Sequence, residues 1–191
     1  MKVLELFCGH GGWSKPWIEA GHTVTGIDLN DFSKEYPGKF IQTDIFDWKP
    51  KEHYDIILAS PPCTEFSIAK KFAWGTQDER QGLDLIWRCY YLIDLIKPKY
   101  FVIENVKGLN EFLANRRENI PYGRHCNIKS ASLWGNYPTM GFFETSINHI
   151  TADELIKTCS IKEKSAKLGI IPYALAKAMQ QAMTKESEVI T

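Results

Sequence analysis

Two spacings of apolar residues divide this chain. Short apolar runs fall at 2–7, 22–27, 39–42, 54–59 and 100–103, each bounded by glycine, proline or charged residues. That is the pattern of buried strands. The stretch 83–96 instead carries apolar residues at 85, 86, 89, 92, 93 and 96, the spacing of a helix with one buried face. Its aromatic residues Trp87, Tyr90 and Tyr91 are read as core, and Pro98 stops it. A shorter helix is expected over 13–20, closed by Gly21. Another is expected over 172–183, with Pro172 at its first turn and an apolar face of Leu175, Ala176, Met179 and Met183. Strands alternating with helices predict an α/β fold built on a doubly wound, mostly parallel sheet.

The pattern is less regular beyond 104. A short helix is expected over 107–114. An antiparallel pair at 124–128 and 131–134 would extend the sheet, and 141–144 reads as a further strand. Thr151, Asp153 and Glu154 read as a capped helix start. The polar stretch 66–81 reads as a mobile lid or a surface loop, and 157–167 as a loop or lysine-bearing surface. The 191 residues suit one domain. Its expected parts are a core at 1–135, a connector or minimal recognition region at 136–171 and a closing helix at 172–185, with the chain fraying from Lys185.

Composition narrows the setting. The chain is 44% hydrophobic, enough for a real core. No apolar run is long enough for a membrane span, and the first residues lack the features of a secretory signal. The five cysteines are odd in number, and no two have the Cys-x-x-Cys spacing, so neither a disulfide framework nor a metal site is expected. A reducing cytoplasm fits best. Formal net charge is zero, which argues against strong non-specific phosphate binding. Positive charge is concentrated locally: 107–129 holds five basic residues against two acidic ones.

Candidate chemistry lies where the expected strands end. Cys8-Gly9-His10-Gly11-Gly12 follows the first strand and precedes the first helix. Such a turn lets backbone approach a nucleotide-type cofactor, with helix N–H groups close by. Asp28 ends the second strand, where a carboxylate can accept from two ribose hydroxyls. Asp44 and Ile45 follow the third, a carboxylate for an exocyclic amine beside an apolar side chain for a purine face. The fourth strand runs into Ser60-Pro61-Pro62-Cys63-Thr64-Glu65-Phe66-Ser67. Its prolines cannot donate to a ladder, so Cys63 should sit on a rigid turn at the strand's C-terminal edge. The fifth strand ends in Glu104-Asn105-Val106, where burial should raise the glutamate's pKa. Strands one, four and five should bring the glycine turn, Cys63 and Glu104 to one edge.

In order, Phe7-Cys8-Gly9-His10-Gly11-Gly12, Pro61-Pro62-Cys63 with Phe66-Ser67, and Glu104-Asn105-Val106 resemble the motifs of the cytosine-C5 DNA methyltransferases. The resemblance is specific from residue 3 to about 110. It implies a Rossmann-like fold binding S-adenosyl-L-methionine, with Phe7, Gly9, His10, Gly12, Asp28, Leu29, Asp44, Ile45 and Pro61 around the cofactor. It implies Cys63 as a nucleophile for C6 of a flipped cytosine, activated by a nearby helix N-terminus or positive charge. Glu104 would hold or protonate N3, and the methyl group would pass to C5. DNA is the implied partner.

The chain also departs from the family pattern. In place of the family's glutamine–arginine–arginine motif it offers Arg116, Arg117, Arg124 and Lys129, of which Arg124 on an expected strand is the choice. The stretch 127–134 resembles shortened phage and virus versions of the fold, which fits a restriction–modification or viral setting. Few residues lie between Trp134 and Pro172 to build a target-recognition domain. Recognition would then be short, or come from a partner subunit or dimer mate. Three alternatives stand beside this reading: the same chemistry on RNA or with a modified donor, a non-catalytic accessory subunit, and a nicotinamide-dependent oxidoreductase. Cys63 together with Glu104 argues against the accessory subunit, and the Pro61-Pro62-Cys63 loop against the oxidoreductase.

Overall fold

The computed structural model describes residues 1–66, 79–114, 124–127, 131–140 and 171–188. Seven strands form a single sheet: β1 (Lys2–Leu6), β2 (Thr23–Asp28), β3 (Lys39–Gln42), β4 (Ile56–Ala59), β5 (Tyr100–Asn105), β6 (Arg124–Asn127) and β7 (Ser132–Gly135). Their order is β3-β2-β1-β4-β5-β7-β6. The first five run parallel, and β7 joins β5 antiparallel with β6 paired outside it. The expected doubly wound sheet and its antiparallel extension are both present.

Side chains alternate between the faces of a strand, and this sorts the core into two layers. Val3, Ile56, Leu58, Tyr100 and Val102 pack with Trp13 and Trp17 and with α4 (Tyr173–Glu188) on one face. The short helix α1 (Ser14–Glu19) lies on that side too. Leu4, Leu6, Ile57, Ala59, Phe101 and Ile103 face the opposite way, toward α2 (Glu79–Ile96) and α3 (Leu109–Ala114). The central strand β4 is buried along its whole length, as its uninterrupted apolar run requires.

Three expectations need correction. Tyr91 is 56% exposed rather than core, because it lies off the apolar stripe of α2. The Arg88 guanidinium stacks over its ring, 4.8 Å from the centroid. Helix α2 begins at Glu79, inside the stretch read as a loop. Helix α4 runs to Glu188, past the expected fraying point at Lys185. The remainder of that loop, at 67–78, the strand at 141–144 and the elements placed over 151–167 lie outside the described residues.

Candidate active site

Strand β4 leaves the sheet through Ser60 and the two prolines. The Ser60 N–H still reaches the Leu6 carbonyl at 3.3 Å, so the strand's path is held as far as Ser60. Cys63 follows, and a 3-10 turn at Thr64–Phe66 closes when the Phe66 N–H donates to the Cys63 carbonyl at 3.1 Å. This turn packs on the start of α3. A Cβ added to Gly108 would lie 2.2 Å from the Phe66 carbonyl oxygen, so only glycine permits the approach. Asn105 supports the loop from β5, its side-chain amide bonded to the Pro61 carbonyl.

Ala59 and Ile103 are register partners on adjacent parallel strands. Ser60 and Glu104 come next on each strand and project from the same face. The half-buried Glu104 carboxyl is pushed up to about 7 by burial, and hydrogen bonding from the Ser60 hydroxyl offsets part of that rise. Cys63 is reachable by solvent, yet surrounding protein desolvates its thiol enough to raise the pKa, and the Glu104 charge raises it further. Among the described residues, the charged group acting on the Cys63 thiol is Glu104, which disfavours the thiolate, and not the expected helix N-terminus or cation. A neutral Glu104 makes the thiolate easier to form, which couples the two groups.

Beside this edge lies a cavity of about 480 Å³. Of the expected cofactor residues it is lined by Phe7, Asp28, Leu29, Asp44 and Ile45. Gly9, His10, Gly12 and Pro61 are not in its wall. Gly9 contributes indirectly, since its N–H donates to Asp28 Oδ2 at 3.0 Å while the Asn30 N–H donates to Oδ1 at 2.9 Å. Each Asp28 oxygen keeps a lone pair for a further donor. Asp44 Oδ1 accepts from the Phe46 N–H at 2.9 Å, which shapes the loop that carries Ile45 and Phe46. Phe7 has a φ of 57°, a left-handed conformation unusual outside glycine, and Gly9 follows at 47°. The turn's amides are largely committed within the chain: Cys8 to Ile27, Gly11 to Cys8 and Ser14 to Gly11. The Trp13 N–H goes to Glu5. The expected row of free N–H groups is thus shortened. Two carboxylates beside Ile45, Phe46 and Leu85 still suit a ligand with hydroxyl and amine donors and a flat apolar ring.

Sequence reasoning missed two polar centres. Glu5 is fully buried on β1, where it accepts from the Trp13 N–H at 3.2 Å and the Tyr36 hydroxyl at 3.0 Å, and also from the Ser14 hydroxyl. Burial outweighs these bonds and pushes its carboxyl up to about 7. Its register partner Gly26 makes the network possible, because a Cβ there would lie 2.3 Å from the Tyr36 ring. A lone glutamate between Leu4 and Leu6 was the available clue. The second centre is Arg88, which donates to the carbonyls of Ile45 at 2.8 Å, Phe46 at 3.2 Å and Trp48 at 2.7 Å. It pins the cavity loop to α2.

Arg124 begins β6 in register with Gly135. Leu133, the partner of Glu104, pairs with Cys126 instead. The backbone of Arg124 therefore lies two strands from Glu104 and two positions lower. The other candidates, Arg116, Arg117 and Lys129, lie outside the described residues. Among the described residues, no three or more His, Cys, Asp or Glu side chains gather as a metal site, and no helix is long and apolar enough to cross a membrane.

A cavity with paired carboxylates at the C-terminal edge of this sheet, next to a thiol and a glutamate, defines a Rossmann-like, methyltransferase-type α/β fold. The match at residues 1–120 is to the C-5 cytosine-specific DNA methylase family, and the chain belongs to that family. Type II methyltransferase M.Bsp6I of Bacillus sp. (strain RFL6) is 31% identical over 156 residues, covering 72% of this chain and 49% of the relative. A Frog virus 3 protein named "Probable DNA (cytosine-5)-methyltransferase" is 32% identical over 117 residues, covering 55% of this chain and 53% of its own length. The tRNA (cytosine(38)-C(5))-methyltransferase of Spodoptera frugiperda is 30% identical over 120 residues, covering 56% and 36%. Among solved structures, S. pombe Dnmt2 methyltransferase is 18% identical with a TM-score of 0.47, covering 71% of this chain and 48% of that one. The chain thus spans about half the length of M.Bsp6I and of the viral protein.

Proposed function

We propose that this chain is an S-adenosyl-L-methionine-dependent DNA cytosine-C5 methyltransferase domain. The observation that carries the reading is the placement of Cys63 and Glu104 at the ends of adjacent strands, at the rim of a cavity whose wall holds Asp28 and Asp44. Asp28 would take the ribose hydroxyls, Asp44 the adenine amine, and Ile45 a face of the ring. The cofactor supplies the methyl group and a positive sulfonium.

The chain's own residues do the rest. The Cys63 sulfur adds its electron pair to C6 of cytosine, and the ring's C5–C6 pair becomes available at C5. Glu104 gives its proton to N3 as that bond forms, so charge does not build up on the ring. After the methyl group reaches C5, the C5 proton is lost to a base and the Cys63–C6 bond breaks. The proton on N3 returns to Glu104. A duplex substrate requires the cytosine to leave the stack. Burial and the Glu104 charge hold Cys63 as a thiol, so its proton must leave before the sulfur can add to C6.

Arg124 remains a candidate for a contact to the base or the backbone, reached from the sheet's outer edge. The short span 136–171 supports recognition by a partner subunit or a second copy, and cytoplasmic action in a bacterial, archaeal or virus-infected cell is the matching setting. RNA is the second substrate to test, because one matched relative is named for a tRNA.

The test is a covalent trap. The protein is incubated with S-adenosyl-L-methionine and duplex DNA containing 5-fluorocytosine, then analysed by mass under denaturing conditions. Fluorine cannot leave as a cation, so a methylated adduct at Cys63 is expected. An adduct formed only on RNA would move the substrate to RNA. Absence of adducts on both, and again with other methyl or group donors, would put the accessory-subunit reading first.

A further inference from the structure

Trp13 sits at the entry to α1, is completely buried, and bonds two separate polar centres. Its backbone N–H donates to Glu5 Oε1 at 3.2 Å. Its indole Nε1–H donates to Ser60 Oγ at 3.0 Å. Ser60 comes next after Ala59, the register partner of Ile103, so its hydroxyl faces the Glu104 carboxyl across adjacent strands. Ser60 also lines the cofactor cavity. Among the described residues, the groups gathered on Glu104 are thus Ser60 from β4, the Cys63 thiol from the following turn and, through Ser60, Trp13 from the start of α1. Leu133 faces it from β7 and brings no charge. Glu5 on β1 is level with Leu58, one side-chain step below Ser60.

The donor inventory makes this arrangement directional. An indole can only donate, and a hydroxyl has one proton and two acceptor lone pairs. The indole therefore occupies a lone pair of Ser60, and the single Ser60 proton is left to point at Glu104. An oxygen that accepts this proton is a poor place for the carboxyl's own proton. We propose that Trp13 and Ser60 are positioning residues that decide which oxygen of Glu104 carries the acid proton, leaving it on the oxygen turned toward the base. This deepens the methyltransferase reading and rests on Glu104 meeting cytosine N3. The proton balance is simple. The far oxygen of Glu104 gives its proton to N3 as the Cys63 sulfur bonds C6, the new carboxylate keeps the Ser60 hydroxyl as donor, and the same proton returns when the sulfur leaves.

The test compares the parent protein with Ser60→Ala, Ser60→Thr and Trp13→Phe. Two readouts are used: the ¹³C NMR titration of the Glu104 side-chain carboxyl, and single-turnover methyl transfer as a function of pH. Ser60→Ala should move the Glu104 titration upward from about 7, since a bond to the charged form is lost, and should slow transfer about tenfold, the scale of one such bond. Ser60→Thr keeps the hydroxyl and should restore both. Trp13→Phe frees the Ser60 proton to rotate and should also slow transfer. Because Trp13 is core, Ser60→Ala carries the decision if the Phe variant does not fold. A Ser60→Ala titration that coincides with the parent's overturns the relay. The NMR titration needs no turnover, so a shifted titration in a protein that transfers no methyl group supports the relay and rejects only the proposed reaction.

Discussion

The side-chain amide of Asn105 donates to the Pro61 carbonyl oxygen at 2.9 Å. Its Oδ1 accepts from the Val106 N–H, also at 2.9 Å, and the residue is buried. One side chain thus ties the loop carrying Cys63 to the end of the strand carrying Glu104. Asn105→Ala should leave the Pro61 carbonyl without this partner, at a cost of about 1–3 kcal/mol. The urea midpoint should fall, and single-turnover transfer should slow further because the two groups lose their common anchor. A variant with the parent's midpoint would show that the bond is dispensable.

Cys63→Ser should abolish transfer and adduct formation yet leave cofactor affinity nearly intact. The thiol is at the cavity's rim, and none of the cavity-wall residues is replaced. Isothermal titration calorimetry with S-adenosyl-L-methionine measures the first half, and radiolabelled methyl transfer the second. Turnover in the serine variant would remove Cys63 as the nucleophile.

Cofactor affinity should respond to three residues through different contacts. Asp28→Ala removes both a ligand acceptor and the partner of the Gly9 and Asn30 amides. Asp44→Ala removes the acceptor that shapes the loop at Phe46. Arg88→Ala releases three loop carbonyls without touching the cavity wall. Each should weaken binding about tenfold or more, the scale of one lost charge-assisted hydrogen bond. Arg88→Lys should recover little, since an ammonium lacks the planar fork that serves several carbonyls at once. Unchanged dissociation constants for both aspartate variants would place the cofactor elsewhere.

Folding stability should fall as pH rises from about 4.5 to about 7. Glu5 and Glu104 both have carboxyls raised to about 7 by burial, from an ordinary 4.5. In that window the native state holds protons that the unfolded chain has released, so stability is greatest at the acid end. Each group contributes a slope of about 1.4 kcal/mol per pH unit. The exposed Asp31 and Glu52 are shifted downward and act below this window, while His22, lowered by burial, acts inside it with the opposite sign and offsets part of the fall from the two glutamates. Urea unfolding at pH 5 and pH 7.5 measures the trend, and Glu5→Gln should flatten it by about half. Stability that rose across the window would contradict the assignment for both glutamates.

The strands and the two reacting groups were legible because apolar runs end where the chemistry begins. Tyr54 to Ala59 and Tyr100 to Ile103 announced β4 and β5, and one strand–helix–strand unit separates Cys63 from Glu104. Contacts set by register were not legible. The Ser60–Glu104 pair needs the alignment of Ala59 with Ile103, and its link to Trp13 needs the packing of α1. Arg124 was placed correctly on a strand, but hairpin register puts its backbone away from Glu104. Tyr91 misled because its aromatic character suggested core while its position on α2 is outside the apolar stripe. Gly26 carried no signal in the sequence, yet it is where the Tyr36 ring passes over β2 to reach Glu5.

The Arg88 clamp has a thermodynamic consequence. A helix and a ligand loop that share one anchor share their opening equilibria, and linkage makes the effect reciprocal. Whatever occupies the cavity should suppress local opening of α2 by the same free energy that an intact α2 adds to its affinity. Occupancy would then be readable as slower amide hydrogen exchange around Arg88, 43 residues along the chain from the Ile45 carbonyl that it holds.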